Sequence, residues 1–243
     1  MIVSAGLIGS SQLLMISGIA SGEYFSEHCI PVIQNLRDNR KDHIGRWVTF
    51  LVHEEIALVK SRLYNISNVL EYVILGEGLW TNVGNIEGIA FINTKYANAS
   101  DDFPDIQLLY YSSGQNNDII RETRGLTREF YYAVYGEFHV KDLWNPYSTL
   151  LRLKSRNVIK LRSKNPFDYL LIYPNYFKEP EDMVTSIEGV KFVLEMSKTA
   201  SCKRYGNKMN PKPFPCSKRI PMYTDPYWRD MIKLYLSTIF HFV

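Results

Sequence analysis

The sequence predicts a mixed fold, α/β to α+β, because strand-like and helix-like segments alternate along its 243 residues. Short runs such as Ile86-Glu87-Gly88-Ile89-Ala90-Phe91-Ile92 and Ile106-Gln107-Leu108-Leu109-Tyr110-Tyr111 carry the β-branched and aromatic residues that suit a pleated surface. Longer stretches near residues 56–75 and 180–194 repeat apolar side chains every three or four positions, the period of a buried helix face. With 46% hydrophobic and 14% aromatic residues, the chain has enough apolar material for a core, and extensive disorder is excluded.

The first charged side chain is Glu23. Before it, Ile2-Val3-Ser4-Ala5-Gly6 reads as a short strand ending in a turn, Ser10-Ser11-Gln12-Leu13-Leu14-Met15 as the start of a helix, and Gly18 as its stop. This opening lacks the positive flank of a signal peptide, and its serines and glycines argue against a stable membrane span. A strand at the start of a chain needs sheet neighbours from elsewhere, so an incomplete domain is expected.

Residues 45–52 read as a strand, and residues 56–75 as a helix whose stripe of Val59, Leu63, Ile66, Leu70 and Ile74 is assigned to the core; Gly76 and Gly78 end it. Strands follow at residues 86–93 and 106–111, joined by an Asn/Asp/Ser-rich connection. Residues 119–139 have helical spacing weakened by Gly125 and Gly136. Alternation at Leu151-Arg152-Leu153-Lys154 and Val158-Ile159-Lys160-Leu161-Arg162 predicts a hairpin turning at Ser155-Arg156-Asn157. Pro180-Glu181-Asp182 opens a helix with Val184, Ile187, Val190, Val193 and Leu194 inward. Asp225 before Pro226 starts a last helix that is read through Trp228, Ile232, Tyr235 and Leu236 toward Ile239.

The 28 lysines and arginines exceed the 25 acidic residues by too little for a general polyanion binder. Six basic residues lie from Arg152 to Lys164, but alternation explains them as a solvated strand face, so no nucleic acid is called for. His28, His53 and His139 lack metal-ligand spacing, and no metal is expected. Cys29, Cys202 and Cys216 form no C-x-x-C and cannot build a dense disulfide framework. The triplets Asn65-Ile66-Ser67 and Asn98-Ala99-Ser100 are glycosylation acceptors only in a secretory pathway, and the compartment stays open. Asp42 beside His43 reads first as a hydrogen-bonding loop and second as an acid/base pair.

Several separated segments resemble the glucose-methanol-choline (GMC) family of FAD-dependent oxidoreductases, in particular its insect glucose dehydrogenase group. Residues 4–19, running from Ser4-Ala5-Gly6-Leu7-Ile8-Gly9 to Ser17-Gly18-Ile19, look like the family's second sequence motif, although Gly9, Ser11 and Ala20 stand where Asn, Pro and Gly are usual. Further likeness lies in Ile30-Pro31-Val32, Asp42-His43, the run Gly88-Ile89-Ala90-Phe91-Ile92-Asn93-Thr94-Lys95-Tyr96, Lys154-Ser155-Arg156, and Pro174-Asn175-Tyr176-Phe177.

The resemblance implies an incomplete FAD-binding α/β domain over residues 1–44, a substrate-binding domain with an antiparallel sheet backed by helices over 45–224, and a return segment toward the active site over 225–243. It implies FAD as cofactor, an alcohol or sugar as substrate, and a quinone-like electron acceptor. Ser4, Ala5 and Gly6 would let backbone approach the cofactor, with Asn39, Asp42 and His43 on a second cofactor-facing loop, where Arg40 and Lys41 depart from the family pattern. His241, in Ile239-Phe240-His241-Phe242-Val243, matches the family's catalytic histidine and would act as general base. The family's G-x-G-x-x-G fingerprint, which places a pyrophosphate on a helix N-terminus, does not occur in this sequence. Full-length relatives of this kind oxidise CH–OH groups; the alternative is an inactive truncated chain or a binding module that retains the substrate-domain fold.

Overall fold

A computed structural model describes residues 2–21, 25, 27–36, 40–82, 84–98, 100–113, 118–139 and 141–239. In chain order its elements are α1 (Gly6–Ile16), β1 (Ile19–Ala20), β2 (Gln34–Asn35), β3 (His43–Trp47), β4 (Phe50–Leu51), α2 (Lys60–Leu63), α3 (Ile66–Leu75), β5 (Ile86–Ile92) and β6 (Ile106–Tyr111). There follow α4 (Asp118–Thr123), α5 (Arg128–Tyr135), β7 (Leu143–Leu150), β8 (Val158–Lys160), β9 (Leu171–Tyr173), α6 (Pro180–Ser197), α7 (Ala200–Arg204), β10 (Lys208–Met209), α8 (Asp225–Leu234) and β11 (Ser237–Ile239). The chain divides into two compact units, one of residues 1–43, 153–182 and 238–243, the other of residues 44–152 and 183–237.

In the larger unit an antiparallel sheet is built around β7. Residues Leu150 to Asn145 of β7 pair with Ile106 to Tyr111 of β6, and its Leu150 to Tyr147 also pair with Ile44 to Trp47 of β3, so the two neighbours occupy opposite edges. β4 continues along β7, matching Phe50 to Trp144, and β10 pairs outside β4. β5 closes the other side against β6. The expected strand at 45–52 is thus β3 and β4 with a break at Val48 and Thr49, and β5 and β6 fall where the alternation placed them.

Helices back this sheet, as the resemblance implied. α6 buries Ile187, Val190 and Val193. It comes so close that a Cβ on Gly189 would lie 2.5 Å from Ser148 Oγ and 3.1 Å from a methyl of Ile106, so glycine is what permits the contact. α5 and α8 bury Tyr131, Val134, Tyr135, Tyr227, Trp228, Met231 and Ile232, and the rings of Phe130, Phe214 and Tyr235 pack together at centroid distances of 5.4–5.6 Å.

The smaller unit packs α1 through Met15 against Phe25, Ile159 and Leu161, with Leu7, Ile16 and Leu170 around them. Gln12 Nε2 on α1 donates to the carbonyls of Pro166 and Asp168 at 3.0 and 3.2 Å.

Several expectations are corrected. Residues 2–4 form no strand; the helix begins at Gly6, and Gly18, with φ at +83°, turns the chain after it. The helix expected over 56–75 breaks between Leu63 and Ile66, where the Asn65 side chain accepts the N–H of Ser67 and caps α3; Gly76 ends α3 in the left-handed conformation. The apolar stripe of α3 does not enter the core: Ile66 is 69% and Ile74 is 71% exposed. Gly125, with φ at +62°, lies between α4 and α5 and ends the continuous helix expected over 119–139. The hairpin at 151–162 does not form, because β8 pairs antiparallel with β9 and β7 stops at Leu150. α8 is capped by Thr224, whose Oγ1 accepts the N–H of Tyr227, and it ends at Leu234 before a strand, short of the helix expected to reach Ile239.

Candidate functional site

Ser4, Ala5 and Gly6 are exposed at the start of α1. No side chain caps this helix and its first turn carries no acidic residue, so the first amides keep their partial positive charge toward solvent. The Ala5 N–H donates to Ser10 Oγ at 3.1 Å, which folds the entry segment over the helix start. Gly6 has φ at +71° and no heavy atom within 4 Å of where a Cβ would stand, leaving its backbone open on that side. Small residues ahead of an uncapped helix suit close approach by a polar cofactor group.

Asp42 and His43 are both buried; the family resemblance implied that both lie on a cofactor-facing loop, whereas His43 opens β3. The Tyr176 hydroxyl donates to Asp42 Oδ2 at 2.6 Å, so the carboxylate anchors the 174–177 connection. Asn175 and Phe177 take positive φ values, +51° and +59°, in the tight path that carries Tyr176 to Asp42. Arg40 O accepts the N–H of Asn157 at 3.0 Å, tying the same loop to the segment before β8. That segment is held in turn by Asp182, whose two carboxylate oxygens accept the N–H groups of Lys154 at 2.7 Å and Ser155 at 2.9 Å. Ser155 Oγ accepts the Glu179 N–H at 3.0 Å. Asn39 and His241 lie outside the described residues. Within the smaller unit the structure therefore brings Asp42 together with Tyr176.

Sequence reasoning passed over Arg46, on β3 in the larger unit. It is 2% exposed, and burial pushes its guanidinium down to about 10. Its Nη2 donates to Trp47 O at 2.9 Å and touches Met231 Sδ at 3.1 Å; Nε and Nη1 have no hydrogen-bond partner among the described residues. The rings of Trp228 and Phe214 stand 5.8 and 6.0 Å from its central carbon, and the Tyr135 and Tyr235 hydroxyls meet at 3.2 Å nearby. Both tyrosines are pushed up by burial. Residues 45–52 read only as a strand, with no face assigned to Arg46, so the sequence offered no signal that its cation is buried.

Among the described residues no group of His, Cys, Asp or Glu could hold a metal ion, and no helix is long and apolar enough to cross a membrane.

The fold defines a class: a mixed α/β protein whose antiparallel, substrate-like domain is backed by helices in the GMC manner. Residues 154–243 match the family described as GMC oxidoreductase. It is 24% identical over 242 residues to a glucose dehydrogenase (FAD, quinone) of Drosophila pseudoobscura pseudoobscura, covering 96% of this chain and 35% of the relative. It is 28% identical over 218 residues to an oxygen-dependent choline dehydrogenase of Burkholderia cenocepacia (strain HI2424), covering 86% and 35%. The chain thus spans about a third of the length of the curated relatives it matches. Among solved structures, a formate oxidase from Aspergillus oryzae RIB40 superposes with a TM-score of 0.71 at 18% identity, over 96% of this chain and 42% of that one. An FAD-dependent oxidoreductase from Chaetomium thermophilum gives 0.66 at 17%, over 96% and 43%. These structural likenesses speak for the fold.

Proposed function

We propose that this chain is part of a GMC-type flavin oxidoreductase, related to the insect glucose dehydrogenases, whose complete form oxidises the CH–OH group of an alcohol or sugar and passes the electrons to a quinone-like acceptor. The observation that carries the reading is the family match over residues 154–243, because that span takes in His241. Bound FAD would supply the two-electron acceptor for the hydride leaving the carbinol carbon. Neutral His241 would accept the hydroxyl proton, raising electron density at that carbon as the C–H bond breaks. Ser4, Ala5 and Gly6 would let the backbone at the open end of α1 approach the cofactor. Asn39, Asp42 and His43 would face the cofactor, with Asp42 holding the loop before β3 through Tyr176 and His43 opening β3. Residues 1–44 would contribute to the FAD domain, 45–224 to the substrate domain and 225–243 to the return toward the active site.

The sequence carries no G-x-G-x-x-G, so the cradle for the cofactor pyrophosphate would come from outside these 243 residues. The isolated chain is therefore expected to hold little FAD and to be inactive. Purification followed by an absorbance spectrum, FAD quantification and dye reduction with a panel of primary and secondary alcohols tests this. Substoichiometric flavin without turnover is the expected result. A saturated flavoprotein that dehydrogenates an alcohol would overturn the inactivity of the isolated chain. If a polypeptide extended by a Gly-rich FAD segment binds FAD but reduces no dye with any alcohol or sugar, the oxidoreductase reading itself falls.

A further inference from the structure

Two asparagines stand in the triplet that an N-linked glycan requires, Asn65-Ile66-Ser67 and Asn98-Ala99-Ser100, and the proposed flavin chemistry uses neither. The fold treats them differently. Asn65 is exposed at the N-cap of α3, where its Oδ1 accepts the Ser67 N–H at 2.9 Å. Only the oxygen of this amide is committed: Nδ2, the atom that would carry a sugar, has no hydrogen-bond partner among the described residues. The Asn98 amide is engaged at both ends, Oδ1 accepting the Ser100 N–H at 3.1 Å and Nδ2 donating to Asp101 Oδ2 at 3.0 Å.

The surroundings of Asn65 point the same way. Trp80 Nε1 donates to Leu63 O at 2.7 Å and Asn68 Nδ2 to Arg62 O at 2.6 Å, so the turn between α2 and α3 is braced with Asn65 on the surface. Tyr64 and Ile66, its neighbours in sequence, are exposed, and the rings of Tyr64 and Trp80 meet edge to face with centroids 5.6 Å apart. Exposed apolar groups gathered in this way favour association, and a bulky, solubilising sugar among them counters it.

We propose that Asn65 is the acceptor of an N-linked glycan. The step is a redox-neutral glycosyl transfer from a lipid-linked oligosaccharyl diphosphate. Asn65 Nδ2 bonds to the anomeric carbon, the bond from that carbon to the diphosphate oxygen breaks with its electron pair leaving on the diphosphate, and one amide proton is released. Oδ1 takes no part, so it keeps the Ser67 N–H after the transfer and α3 retains its cap. Nothing in this inference depends on flavin chemistry.

The test directs the whole 243-residue chain into a eukaryotic secretory pathway behind a cleavable leader, with Asn98→Gln so that a single triplet remains. Mass before and after peptide N-glycosidase reads occupancy, counted over secreted and retained chain together so that a folding failure hides nothing. Most of the chain should carry one glycan. Adding Asn65→Gln should abolish it. Adding Ser67→Ala instead should abolish it too, because the triplet loses its hydroxyl, while the backbone N–H that Asn65 Oδ1 accepts is left in place. The proposal is overturned if the Asn98→Gln chain carries no glycan, or if the glycan survives either Asn65→Gln or Ser67→Ala.

Discussion

Tyr176 donates its phenolic hydrogen to Asp42 at 2.6 Å, joining residues 134 positions apart in the chain. The bond makes the 174–177 connection a strut for the loop that precedes β3. A hydrogen bond to a charged acceptor contributes about 1.5–3 kcal/mol, and removing the donor leaves a buried carboxylate oxygen less well solvated. Tyr176→Phe should therefore lower unfolding free energy by about 2 kcal/mol in urea denaturation. In an Asp42→Asn background the same change should cost markedly less, because the charge that strengthens the bond is gone. Equal losses in the two backgrounds would show that Tyr176 stabilises by packing alone.

Part of this arrangement is legible in sequence. Resemblance singled out Asp42, His43 and the Pro174-Asn175-Tyr176-Phe177 run separately, but nothing in a one-dimensional pattern says that two segments so far apart exchange a hydrogen bond. Asp182 shows the same gap. Its place in the first turn of a helix suggested a favourable dipole interaction, whereas its two oxygens also hold the Lys154 and Ser155 amides. That clamp also accounts for the missing hairpin: residues 154 and 155 spend their backbone donors on a carboxylate instead of a strand ladder.

The apolar face of α3 gives a direct stability test. Ile74 is 71% exposed, so replacing it with Gln removes almost no buried surface and should change unfolding free energy by less than about 0.5 kcal/mol. Val190 on α6 is completely buried, and Val190→Ala should cost about 1–3 kcal/mol through lost burial and a residual cavity. Parallel denaturant curves on the two variants check the contrast. A loss at Ile74 as large as that at Val190 would place the α3 stripe in a core after all.

The two helices also show where periodicity stops being informative. Both repeat apolar residues at helical spacing, and period alone assigns an inner face to each. What separates them is tertiary: Gly189 lets α6 settle onto Ser148 and Ile106, while α3 finds no such seat among the described residues. β5 and β6 are easier to read, since β-branched and aromatic residues bounded by turn residues suffice to locate them, whereas the strand expected at residues 2–4 and the hairpin expected at 151–162 do not form.

Arg46 yields a prediction whose sign follows from its burial. Burial lowers its guanidinium from its ordinary, higher value to about 10, and the facing groups, Tyr135, Tyr227 and Tyr235, oppose that shift only in part. A base with a lower folded than unfolded pKa binds its proton more tightly when unfolded, so the charge opposes folding throughout the range below about 10. As pH rises above about 10 the folded guanidinium loses its proton while the unfolded one still holds it, and this penalty fades. The neighbouring tyrosines act in the opposite sense: Tyr135 and Tyr235 keep their protons above the ordinary value of 10.0, so stability falls with pH as the unfolded phenols ionise. Neutral pH isolates the arginine. There Arg46→Met, which keeps the length of the side chain and removes the buried charge, should raise unfolding free energy by about 1–3 kcal/mol, the range seen when buried ions give way to apolar groups of similar size. Arg46→Ala should fall below the Met variant by about 2 kcal/mol because it leaves a cavity among Trp228, Phe214 and Met231. Urea denaturation of both variants at pH 7 decides it: a Met variant less stable than the parent would mean that the contacts to Trp47 O, Met231 and the two aromatic rings outweigh the cost of burying the cation.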